Sequence, residues 1–149
     1  MKRGTLLWAL GILSAATLAL EIDLSRLLAV AQFYHLSFMV ISLALLGFGA
    51  SGTLLAVWPE LHAYPLRRTL SWLGWGMAGT TVGAYLLTVY LPFDSFSVAV
   101  DPRQWGVLAL HYLALSTPFA CTGLAVSLLL TAFPERGHQV YAVNLVGSA

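Results

Sequence analysis

The chain has 149 residues, of which 59% are hydrophobic and only 9% are charged. Soluble domains carry about 25% charged residues, so this deficit excludes an ordinary globular protein. A formal net charge of +1 without clustered Lys and Arg excludes nucleic acid as a partner and leaves the lipid bilayer as the main surroundings.

The first apolar segment runs from about Thr5 to Phe33. Lys2 and Arg3, then Leu6 to Ala16, then Thr17-Leu18-Ala19, also fit a cleavable signal peptide. Against cleavage stands a polar stripe that crosses that point. At about 100° per residue, Gly11, Ser14, Thr17, Glu21, Ser25 and Gln32 fall near one line of a helix, which a continuous helix would turn toward its neighbours. The second segment, Tyr34 to Trp58, has no acidic or basic residue except His35. At about 1.5 Å per residue, a stretch of this length crosses a hydrocarbon core roughly 30 Å thick.

The third segment runs from Thr69 to Leu91 and the fourth from Gln104 to Phe133; a fifth begins at Gln139 and meets the chain end at Ala149. Pro59, Pro65, Pro92, Pro102 and Pro134 fall in the gaps. Only helices and closed barrels satisfy their backbone in lipid, and these runs are too continuous for barrel strands. The reading is an all-α polytopic transmembrane bundle, one domain of four full spans plus a truncated fifth helix. Trp8, Trp58, Trp72, Trp105 and Tyr90 lie near the segment ends, as interfacial aromatics do. Lys2, Arg3, Arg67, Arg68 and Arg136 on one side outweigh Arg26 and Arg103 on the other, which makes the N-terminus cytoplasmic.

Gly47 to Gly52 spell G-F-G-A-S-G, formally a dinucleotide fingerprint, but they lie inside an apolar helix rather than after a strand. Gly47, Gly49 and Gly52 are therefore expected at helix–helix contacts, where small residues let backbones approach, and Gly76, Gly79 and Gly83 likewise. Ionisable residues within spans are costly and tend to pair in the interior. With the N-terminus inside, Glu21, Asp23, Arg26, His35 and His111 fall in the outer half and form a candidate polar seam among the first, second and fourth helices. Asp23 and Arg26, three apart, are spaced to pair. His35, Ser42, Gly49 and Thr53 supply the second helix's line, and His111, Pro118 and Thr122 the fourth's.

Pro118 removes one backbone hydrogen bond and is expected to kink the fourth helix, with Thr117 and Thr122 available to the freed carbonyl. Cys121, the lone cysteine, reads as a small packing residue. No catalytic residue, metal site or cofactor motif is legible.

Three stretches, Glu21-Ile-Asp-Leu-Ser-Arg26, Phe33-Tyr-His-Leu-Ser-Phe38 leading into Ser42 to Gly52, and Tyr141-Ala-Val-Asn-Leu-Val-Gly-Ser-Ala149, resemble the N-terminal membrane region of bacterial polytopic spermidine synthase-like proteins. The resemblance implies an inner-membrane, multi-pass location and a partner: a soluble Rossmann-like transferase domain C-terminal to the helices, absent from this sequence. Asn144 stands where the resemblance leads one to expect Asp. The expected function is an anchoring and substrate-handling module of such a protein, inert alone. The alternative is a small transporter or channel subunit, self-associated, that uses the outer polar seam.

Overall fold

The structure, a computed structural model, describes residues 3–31, 39–91 and 101–149. Five helices fill them: α1 (Arg3–Ala31), α2 (Met39–Val57), α3 (Leu66–Tyr90), α4 (Arg103–Ala132) and α5 (Gly137–Gly147). Short 3-10 turns, Pro59–Ala63 and Pro134–Arg136, lead into α3 and α5. No strand occurs among the described residues. The beginning of the expected second segment, residues 34–38 with His35, lies outside them.

Helix α3 starts three residues before the apolar run because Arg68 N and Thr69 N already bond Pro65 O, at 2.8 and 3.2 Å. Hydropathy marks the part of a helix suited to hydrocarbon, whereas hydrogen bonding carries the helix on through Arg67 and Arg68. Helices α1, α2 and α4 are long and apolar enough to cross a membrane. Helix α3, at 25 residues or about 37 Å, has the length, but its Gly, Thr and Trp content keeps it below that apolarity.

The helices run alternately up and down between two levels. At one level Leu10 of α1, Leu129 of α4 and Val140 of α5 form a buried cluster, flanked by Leu66 and Leu70 of α3. At the other, Leu43 of α2, Ala84 of α3 and Leu115 of α4 are buried together, flanked by Leu24 of α1. Helices α2 and α3 pack chiefly on α4, and α1 packs chiefly on α5. Helix α4 is thus the axis of the bundle, with Phe119 and Ala125 fully shielded. The outer surface is apolar: Trp8, Val30, Leu45, Trp75, Tyr90 and Val146 are all more than 65% exposed. Apolar exposure on every helix suits hydrocarbon and not water.

The closest helix approaches centre on small residues, though not all of those the sequence singles out. A β-carbon on Gly47 would stand 2.5 Å from Ser116 O and 2.6 Å from Phe119 Cβ, so α2 lies directly against the α4 backbone there. One turn on, Ser51 fits over Gly123, whose added Cβ would stand 2.5 Å from Ser51 Oγ. Gly49 and Gly52 face open space. The reason is angular: positions 47 and 49 are about 200° apart on a helix, so one partner cannot meet both. In α3, a β-carbon on Gly76 would stand 3.5 Å from Cys121 Sγ, an ordinary contact distance, while Gly79 and Gly83 are open.

Helix α4 continues through the buried Pro118 without a break. The hydroxyls expected to help the carbonyl of Ala114 are engaged elsewhere. Thr117 Oγ1 donates to Leu113 O at 2.7 Å, its own i−4 carbonyl, and Thr122 Oγ1 sits 2.7 Å from Thr17 Oγ1.

Candidate functional site

The polar stripe of α1 turns inward where it meets α4 and α5. Thr17 and Thr122 are buried, and their hydroxyl oxygens are 2.7 Å apart. Thr17 Oγ1 also lies 2.8 Å from Leu13 O, which only accepts. Each proton is used once if Thr122 donates to Thr17 and Thr17 donates to Leu13. Met77 Sδ of α3 stands 3.9 and 3.6 Å from the two oxygens. Nearby, Ser14 Oγ is 2.9 Å from Leu10 O and 2.8 Å from Oδ1 of Asn144 in α5. One hydroxyl proton serves one acceptor, so Ser14 bonds either its own helix or α5 at any instant.

Bonds of this kind within membranes are worth about 0.6 kcal/mol, reaching about 1.7. A double-mutant cycle of Thr17→Val and Thr122→Val, read by unfolding in mixed micelles, is therefore expected to give a coupling of about 0.5–1.5 kcal/mol. Additive single effects would deny the pair any shared role.

Helices α1 and α3 both flank α4, and Thr17 Oγ1 of α1 comes within 3.9 Å of Met77 Sδ of α3. Between them lie two cavities. The first, about 560 Å³, is walled by residues such as Ile12, Ala16, Gly74 and Ala78, with Ala125 and Leu129 of α4 beneath. The second, about 590 Å³, has Asp23, Leu27, Tyr85 and Thr88 on its walls and His111, Leu115 and Pro118 beneath. Leu20 and Thr81 line both. The two are therefore one groove with α4 as its floor.

Two members of the expected seam, Asp23 and His111, meet in the second cavity. His111 is buried, and its Nδ1 lies 2.8 Å from Val107 O. A carbonyl only accepts, so Nδ1 carries a proton and, in the neutral ring, Nε2 is the acceptor nitrogen. Glu21 is half-buried and Arg26 exposed; neither lines the cavity. Glu21 and Asp23 are about 200° apart on α1, which prevents both from facing one opening. Asp23 and Arg26 form no ion pair among the described residues, contrary to their spacing. His35 lies outside the described residues.

The second helix does not contribute the expected line: Ser42, Gly49 and Thr53 are exposed. The Gly47–Ser51 contact fixes the rotation of α2 and turns that side away from α4. In their place α3 joins the site, through Thr81, Tyr85 and Thr88. Thr81, Tyr85 and Thr88, four and three apart on one side of the helix, were the available signal. Thr81 Oγ1 donates to Met77 O and Thr88 Oγ1 to Ala84 O, both at 2.8 Å, so these hydroxyls are satisfied within their own helix. Among the described residues no three of His, Cys, Asp and Glu come together as a metal cluster would require. In comparison with known proteins, the chain matches no family model, no curated sequence and no solved structure.

Proposed function

We propose that the chain is a multi-pass module of the bacterial inner membrane: the anchoring and substrate-handling part of a spermidine synthase-like protein, inert by itself. The observation that carries the reading is the 590 Å³ cavity, whose mostly aliphatic lining includes the carboxylate of Asp23 and the imidazole of His111 beside Tyr85 and two threonines. Ionisable groups held there favour a handling role over a purely mechanical anchor. The motif resemblance supplies the family. Incubated with a decarboxylated or ordinary sulfonium donor and an amine acceptor, the purified chain is expected to transfer no aminopropyl or methyl group. Transfer above the blank would sink the inert part.

In this reading α3 is the fourth span. It reaches from the level of Leu66 and Leu70 to that of Ala84, the same two levels its neighbours join. Its threonines, which depress its hydropathy, donate to their own helix at Thr80, Thr81 and Thr88, and its glycines carry no polar side chain. The N-terminus is cytoplasmic, with Arg67, Arg68 and Arg136 on that side. In a Cys121→Ser background, a membrane-impermeant thiol reagent applied outside is expected to label Asp101→Cys in intact cells, and Glu60→Cys only after permeabilisation. Equal labelling of the two positions in intact cells would remove α3 from the spans.

The transporter reading draws less support, because its polar line on α2 faces outward and the groove opens beside α4 rather than along an axis enclosed by the helices.

A further inference from the structure

We infer that the groove between α1 and α3 takes a single-chain amphiphile with a protonated amine head, its tail along the groove and its ammonium at Asp23. This rests on the 590 Å³ cavity being the substrate-handling site.

Length comes first. The groove runs from Leu70 to Val89 along α3, about 28 Å at 1.5 Å per residue, close to the roughly 30 Å of a hydrocarbon core. Most of the lining over that length is Leu, Ala, Ile and Val, which suits an alkyl tail.

Charge selects the head. Among the described residues, Asp23 is the one acidic residue on the lining of either cavity, and none there is Lys or Arg. Thr81 and Thr88 donate to Met77 O and Ala84 O of their own helix, and His111 Nδ1 to Val107 O. The charge a head group meets on this lining is the carboxylate's, whose field attracts a cation and repels phosphate or carboxylate heads, more strongly near hydrocarbon than in water. Tyr85, on the same cavity, adds an aromatic ring for the same cation.

The test is native mass spectrometry of the full chain in an uncharged maltoside detergent, titrated with hexadecylamine, hexadecanol or palmitate. The amine is expected to bind at least about tenfold more tightly than either of the others. Asp23→Asn should reduce it to the level of the alcohol. Gly74→Leu should weaken all ligands alike, because a Cβ at Gly74 meets nothing within 4 Å and the side chain extends into the groove without disturbing the packing. Equal binding of amine and alcohol, both lost in Gly74→Leu, would overturn the amine and leave the handling role standing. An amine preference that survives Asp23→Asn would overturn the placement of the ammonium at Asp23 and leave the handling role standing. No binding, or binding indifferent to Gly74→Leu, would overturn the inference and the handling role together.

Discussion

Gly47→Leu is expected to separate α2 from α4 and to destabilise the fold by about 3 kcal/mol or more, at or above the top of the usual overpacking range. The first atom of the new side chain would stand 2.5 Å from Ser116 O and 2.8 Å from Ala120 N. Both are backbone atoms of the central helix, so no side-chain rotation relieves the clash, and α2 must move as a whole. The nearby Gly123→Leu should cost somewhat less, since Ser51 Oγ and the Phe48 ring can rotate away, although Ser51 Cβ, at 2.9 Å, moves only with α2. Gly49→Leu is the control: its Cβ meets nothing within 4 Å, and a change within about 0.5 kcal/mol is expected. Unfolding in sodium dodecyl sulfate–maltoside mixtures, followed by tryptophan fluorescence, measures all three. Equal midpoints for Gly47→Leu and Gly49→Leu would refute the packing described for α2.

The second large effect is expected at Gly147→Leu, which should free α5 from α1 while α2, α3 and α4 stay packed. A Cβ at Gly147 would stand 2.5 Å from Gly11 O and 2.9 Å from Ser14 Cβ. Helix α5 rests chiefly on α1, so displacing it also breaks the Ser14–Asn144 contact. Amides of α5 are expected to exchange with deuterium at least about tenfold faster, equivalent to about 1.4 kcal/mol of local stability, with those of α4 near Phe119 unchanged. Uniform acceleration throughout the chain would mean that α5 is not a separate unit.

Length and continuity made the helices legible, because a run of apolar residues long enough for lipid has few other ways to satisfy its backbone. Rotation was less legible. Sequence order puts Gly47, Gly49 and Gly52 in one motif, yet only the side bearing Gly47 and Ser51 meets α4. Spacing of four along α2, the small-xxx-small pattern, picks out Gly47 and Ser51 where the run of glycines does not. The seam shows the same limit. Expected depth groups Glu21, Asp23, Arg26 and His111, but angle divides them, so Asp23 and His111 line one cavity that Glu21 and Arg26 do not. The contribution of α3 was hidden because hydropathy scores Thr81 and Thr88 as polar, whereas their hydroxyls are occupied by their own helix.

The order of packing has a consequence for how the chain is made. Helices α1, α2 and α3 emerge from the ribosome before the helices on which they chiefly rest, since α2 and α3 pack on α4 and α1 on α5. Each must therefore wait in the bilayer as a largely solitary helix until the last third of the sequence has been synthesised. That wait is tolerable because Ser14 and Thr17, the hydroxyls destined for α5 and α4, already have partners at Leu10 O and Leu13 O. They enter hydrocarbon satisfied; when the late helices arrive, Thr17 keeps its local bond and accepts from Thr122, while Ser14 shares its proton between Leu10 O and Asn144 Oδ1.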